Sequence, residues 1–152
     1  MPQLYPTFDI PLEMAEDLAS QQEVRPDTKA PMLDFSTGNT KMTPTGRPVE
    51  AVGADAYRQW VLTCLLAERY EYLAYGPDFG VEIKAIMRAN YPRDIAESEI
   101  RRTITEALMV DPRTVSVGGF KFRWEGDSVW VTCEVESVFG RDEVEVRYRG
   151  VA

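Results

Sequence analysis

The chain has 152 residues, 25 acidic and 17 basic side chains, no histidine, and a formal net charge of −8. Such a length holds about one domain and can bury a core without disulfides or metal. The lack of histidine removes Ser-His and Cys-His nucleophile pairs and imidazole ligands, and the acidic balance argues against a partner held through its phosphates.

Residues 1–31 hold five of the ten prolines (Pro2, Pro6, Pro11, Pro26 and Pro31). Proline removes a donor and drives its neighbour toward extended backbone. The segment reads as an N-terminal extended arm with apolar anchors at Leu4, Tyr5, Phe8 and Ile10, and Leu12–Ala19 has the composition for one helical turn. The first ten residues lack the basic and apolar regions of a signal peptide, and no apolar run approaches the ~18 residues of a membrane span. Residues 32–152 read as a single α+β domain. A short hairpin comes first, with Met32–Phe35 as a strand, a turn at Gly38-Asn39, a return at Lys41–Met42, and Val49–Val52 heading to the core.

Three helices follow. Tyr57, Trp60, Val61, Cys64 and Leu65 form one stripe at helical spacing, and Gly76-Pro77 is the expected stop. Pro77-Asp78-Phe79-Gly80 predicts a tight turn with Phe79 turned inward. Val81–Ala89 is a shorter helix with Ile83, Ile86 and Met87 inward. The third begins at Asp94, paired with Glu97 as a capping box, and buries Ile100, Ile104, Ala107 and Leu108.

From Thr114 the period becomes two. Val115 and Val117 face inward, Gly118-Gly119 marks a bulge, and the parity moves to Phe120, Phe122 and Trp124. Turns are expected at Glu125–Asp127 and Gly140–Asp142. Val129, Val131, Cys133 and Val135, then Val144, Val146 and Tyr148, line the inner face of an antiparallel meander of three or four strands. Cys64 and Cys133 both fall on apolar faces, as buried free thiols from a reducing cytoplasm would.

Little in this pattern carries chemistry. A glycosidase needs two carboxylates about 5–9 Å apart. Glu68, Asp78, Glu82, Glu106 and Asp111 lie near turns and helix ends, and their spacing singles out no pair. There is no EF-hand spacing and no phosphate-binding glycine loop. No cofactor or metal is expected. A carboxylate-dependent cell-wall hydrolase stands as the alternative to a structural role.

Several stretches together resemble a known family. They are Gln59-Trp60 with Glu68–Tyr72, then Tyr75–Val81, Ser98–Leu108, Asp111-Pro112-Arg113 and, more weakly, Leu33–Phe35 with Gly38. Across about residues 30–140 the chain resembles the baseplate wedge or sheath-initiator proteins of contractile phage tails, in the XkdS-like branch of phages and tailocins. That family is related to one shared with type VI secretion baseplates and sometimes labelled lysozyme-like. The resemblance implies a virion tail baseplate component, built in the host cytoplasm, with no nucleic acid or membrane partner. Its implied partners are the tail sheath protein, other wedge proteins, and the tail tube or hub, with a monomer entering a six-fold assembly. It implies partner contacts at Asp111, Pro112 and Arg113, where the wider family usually has Glu-Pro-Arg. The other reading of that triplet is a helix stop with Asp111 and Arg113 paired locally. It also implies strand addition along Glu143, Val144, Glu145, Val146 and Arg147, whose alternating charges equally suit an edge protected from stray pairing.

Overall fold

The computed structural model describes residues 29–71 and 73–150. Most of the expected arm, including Leu4, Tyr5, Phe8, Ile10 and the turn at Leu12–Ala19, lies outside the described residues. Its last three residues form β1 (Lys29–Pro31), antiparallel to β4 (Glu50–Val52) with Ala30 opposite Ala51. Between them β2 (Leu33–Asp34) pairs with β3 (Asn39–Thr40) across a turn where Gly38 takes φ 73°. These ladders are fastened to the first helix by Gln59. Its Oε1 accepts from Leu33 N at 2.8 Å and its Nε2 donates to Pro31 O at 2.6 Å.

Helix α1 (Ala54–Leu66) buries the expected stripe, with Tyr57, Val61, Cys64 and Leu65 at most 2% exposed. It ends well before Gly76-Pro77. Ala67 turns extended, and the chain is captured by a parallel bridge between Glu68 and Val81. Arg69 N donates to Val81 O and Val81 N to Ala67 O, both at 2.9 Å. Gly80 sits at the crossing with φ 97°, where a Cβ would lie 2.8 Å from Ala67 O. Phe79 packs inward against Tyr75, ring centroids 4.3 Å apart, as the tight turn requires.

Helix α2 (Ile83–Arg88) follows, and then α3 (Arg93–Met109). Helix α3 runs through the core, with Ile100, Ile104, Ala107 and Leu108 at most 1% exposed. The capping box does not form. Pro92 holds the cap position, Asp94 lies inside the first turn, and Glu97 instead accepts from Trp124 Nε1 at 2.8 Å. Proline suits a helix start because the amide it lacks has no intrahelical partner there. Thr103 is fully buried in the apolar stripe, and its hydroxyl accepts from Glu82 N at 3.1 Å.

Strands β5 (Thr114–Glu125), β6 (Ser128–Ser137) and β7 (Gly140–Tyr148) form an antiparallel sheet in the order β5-β6-β7, one face on the helices. The fold is thus α+β, with three helices on a C-terminal meander. The bulge occurs as a register shift between Gly118 and Lys121, with Gly119 at φ 61° over the Glu134 side chain. A second shift, between Thr114 and Ser116, overturns the expected parity at the strand's start. Thr114 is buried and bonded to the Tyr57 hydroxyl at 2.7 Å, while Val115 is exposed. The last turn is also displaced. It comprises Val138-Phe139 rather than Gly140–Asp142, because the Ser137 hydroxyl accepts from Phe139 N and donates to Gly140 O, both at 3.2 Å.

Candidate partner-binding site

Partner contacts are expected at two groups of residues. Asp111, Pro112 and Arg113 turn the chain from α3 into β5. The Asp111 carboxylate accepts from Arg113 Nε at 2.9 Å, Nη2 at 2.6 Å and backbone N at 2.8 Å. The pair's side chains are only 10–11% exposed, and the guanidinium lies 5.2 Å over the Tyr57 ring. In this chain the pair is a local brace of bidentate geometry. Pro112 and Val110 remain exposed beside a shallow cleft shared with Trp60 and Phe79.

The second group is on β7, an edge strand, and among the described residues nothing pairs with its outer side. Only two residues separate Ser137 from Gly140, so this closing pair exchanges hydrogen bonds. Antiparallel pairs then alternate along the ladder. Hence Asp142, Val144, Val146 and Tyr148 turn their amides to β6, and Arg141, Glu143, Glu145 and Arg147 turn theirs outward. Side chains alternate as well. Val146 and Tyr148 are buried against the helices, Val144 is half-buried, and Glu143, Glu145 and Arg147 are exposed on the opposite face. Burial pushes the Tyr148 phenol up, and its hydroxyl donates to Leu65 O at 2.9 Å.

Beneath the β7 edge lies a cleft of about 210 Å³ lined by Tyr57, Val61, Leu62, Val135 and Val144, with Arg58, Asp142, Glu143 and Glu145 at its rim. Arg58 is held there by Asp142 at 3.1 Å and Asp55 at 3.2 Å. Tyr57 is the residue common to the corner and the cleft. Its place in the α1 stripe marked it as core, and nothing in the sequence pattern distinguished this second role. On the open face, Trp130 lies between Arg123 and Arg147, their guanidinium carbons 5.2 and 5.5 Å from its ring centroid.

Of the carboxylates of the hydrolase alternative, Glu68, Glu106 and Asp111 have partners of their own. Glu68 accepts from Lys84 N at 3.0 Å, and burial raises its pKa above the ordinary value. Glu106 pairs with Arg102 at 3.1 Å. Among the described residues no group of three or more Cys, Asp or Glu is placed to hold a metal, and no helix is long and apolar enough to cross a membrane.

Residues 30–140 match the family model for the contractile injection system sheath initiator. The chain belongs to the sheath-initiator family. It is also 31% identical over 131 residues to the phage-like element PBSX protein XkdS of Bacillus subtilis (strain 168), covering 86% of this chain and 89% of the relative. Sheath initiators are structural components of contractile tails, and association with sheath and baseplate proteins follows from membership. The corner lies within the matched residues, whereas β7 beyond Gly140 lies outside them.

Proposed function

We propose that this chain joins the baseplate wedge to the tail sheath and nucleates sheath assembly, as a monomer recruited into a six-fold baseplate and without enzymatic activity. The observation that carries this reading is the outer side of β7, with which nothing pairs among the described residues and whose backbone groups at Glu143, Glu145 and Arg147 turn outward. An extended arm from the first sheath ring adds there as a further strand, gaining main-chain hydrogen bonds and a defined register. The alternating charges deter pairing with unrelated strands. At the corner, the Asp111–Arg113 pair fixes the backbone while exposed Pro112 and Val110 meet the wedge, with tail tube or hub as further neighbours. Assembly takes place in the host cytoplasm, and the particle is a phage tail or a tailocin.

The test is sheath co-assembly scored by electron microscopy, counting tubes with and without sheath. Glu145→Pro removes an outward amide and obstructs the incoming strand. Glu145→Thr spares the backbone. With circular dichroism showing both variants folded, the proline variant loses far more nucleation than the threonine variant. Nucleation by a folded Glu145→Pro protein equal to the parent's would place the sheath on another surface.

A further inference from the structure

The β7 edge carries more than a row of backbone groups. Its inner side opens on the apolar cleft of Val61, Leu62 and Val144 under the Tyr57 ring. Its outer face gathers Glu134, Glu143 and Glu145. Glu134 stands directly opposite Glu143 in the ladder, at a position where the two strands do not exchange hydrogen bonds and side chains approach closest. Like charges opposed in this way repel. Lys121 lies 4.0 Å from Glu143 and is largely exposed, while on the same face Arg141 pairs with Glu136 and Arg147 lies over Trp130. Glu145 has no ion pair among the described residues.

A strand added to β7 is bound by the same period of two. Its residue opposite Val144 faces the helices and enters the cleft. Its residues opposite Glu143 and Glu145 lie on the open face, against Glu143, whose ion pair with Lys121 is exposed, and Glu145, which has none among the described residues. We propose that the β7 edge selects an extended partner segment of pattern basic–apolar–basic. The apolar side chain fills the cleft opposite Val144, and the two flanking Lys or Arg neutralise Glu143 and Glu145. This inference rests on strand addition at β7 and specifies the chemistry of the strand that is added. The cleft supplies register, because a one-residue slip sends a cation into an apolar cavity and an apolar group to the carboxylates.

The experiment uses the full chain extended beyond Ala152 by a flexible Gly/Ser linker and the segment Thr-Lys-Leu-Lys-Thr. Linkage keeps the segment at high local concentration, so a weak strand interaction is still read. Amide hydrogen exchange at Glu143 and Glu145 is followed by NMR, against the unextended protein and against Thr-Glu-Leu-Glu-Thr and Thr-Lys-Asp-Lys-Thr extensions. The Lys-Leu-Lys segment slows exchange at both amides by about tenfold or more, and each altered segment loses about tenfold of that protection. Equal protection by all three segments keeps strand addition and overturns the selective pattern. Protection by none overturns the β7 edge as a strand acceptor, and the pattern with it.

Discussion

The Asp111–Arg113 corner and the β7 edge are both rich in charge and both lie at the sheet's periphery, yet they are finished in opposite ways. At the corner Arg113 turns its Nε, Nη2 and backbone N–H onto Asp111, and the pair is nearly covered. At the edge, backbone groups of alternate residues are left for a partner, and Glu145 is unpaired among the described residues. A conspicuous charged motif is therefore no guide by itself to where binding capacity remains. What matters is whether its hydrogen-bonding groups are already used.

The largest effect that separates the two regions is expected from Asp111→Ala. It strands a covered guanidinium, and breaking such a pair costs about 3–5 kcal/mol. Chemical denaturation measures the loss, and Asp111→Ala/Arg113→Ala should cost less than the single change. An Asp111→Ala protein of parental stability would make the corner an open docking element like the edge. Next comes a pair of prolines on β7. Val144→Pro removes an amide bonded to β6 and should cost about 3 kcal/mol or more, whereas Glu145→Pro loses no internal bond and costs about 1 kcal/mol through backbone strain. Equal costs would mean that the outward and inward amides are assigned the wrong way round.

The third effect concerns how dry the ground beneath the edge is. Burial, with a smaller push from Glu143, raises the Cys133 thiol to about 11. Below the unfolded pKa near 9 both states hold the proton and stability is unaffected. Between about pH 9 and 11 the unfolded chain releases it first, so stability falls by roughly 2 kcal/mol across that window. Cys133→Ala lowers the baseline but should flatten this slope in denaturation series. An unchanged slope would show that water reaches the thiol beside Val144. The smallest effect is expected from Glu68→Gln, about 0.5 kcal/mol or less, because the amide oxygen still accepts from Lys84 N and no buried charge remains.

Much of this was legible in the sequence wherever one face of one element decides the outcome. The α1 and α3 stripes, the inner residues of β6 and the glycine bulge all follow local periodicity. The sequence pattern failed where a distant residue competes for a local group. Helix α1 stops at Leu66 because Val81, far along the chain, takes the next backbone groups. Glu97 serves Trp124 rather than the helix start. Thr114 turns inward to meet Tyr57 and forces Val115 out. At the candidate site, the alternation of β7 and its place at the end of a meander were visible in its residues, but the cleft beside Leu62 depends on how the helices dock.

The crossing at Glu68 and Val81 has a consequence for how this chain tolerates change. Two backbone hydrogen bonds and the close approach of Gly80 to Ala67 tie the ends of an excursion whose outermost described residue, Leu73, is fully solvated. Beyond the contacts of Glu71 with Lys84 and of Phe79 with the core, the exposed part of a loop tied at its neck behaves as a flexible tether. Doubling its length costs only about 0.6 kcal/mol of closure entropy, and none of that cost reaches the helix and sheet below the neck. The exposed stretch about Leu73 is thus where the chain can lengthen, carry a probe or acquire an added contact surface while Phe79 keeps its place against the core and α1, α3 and the meander keep their register.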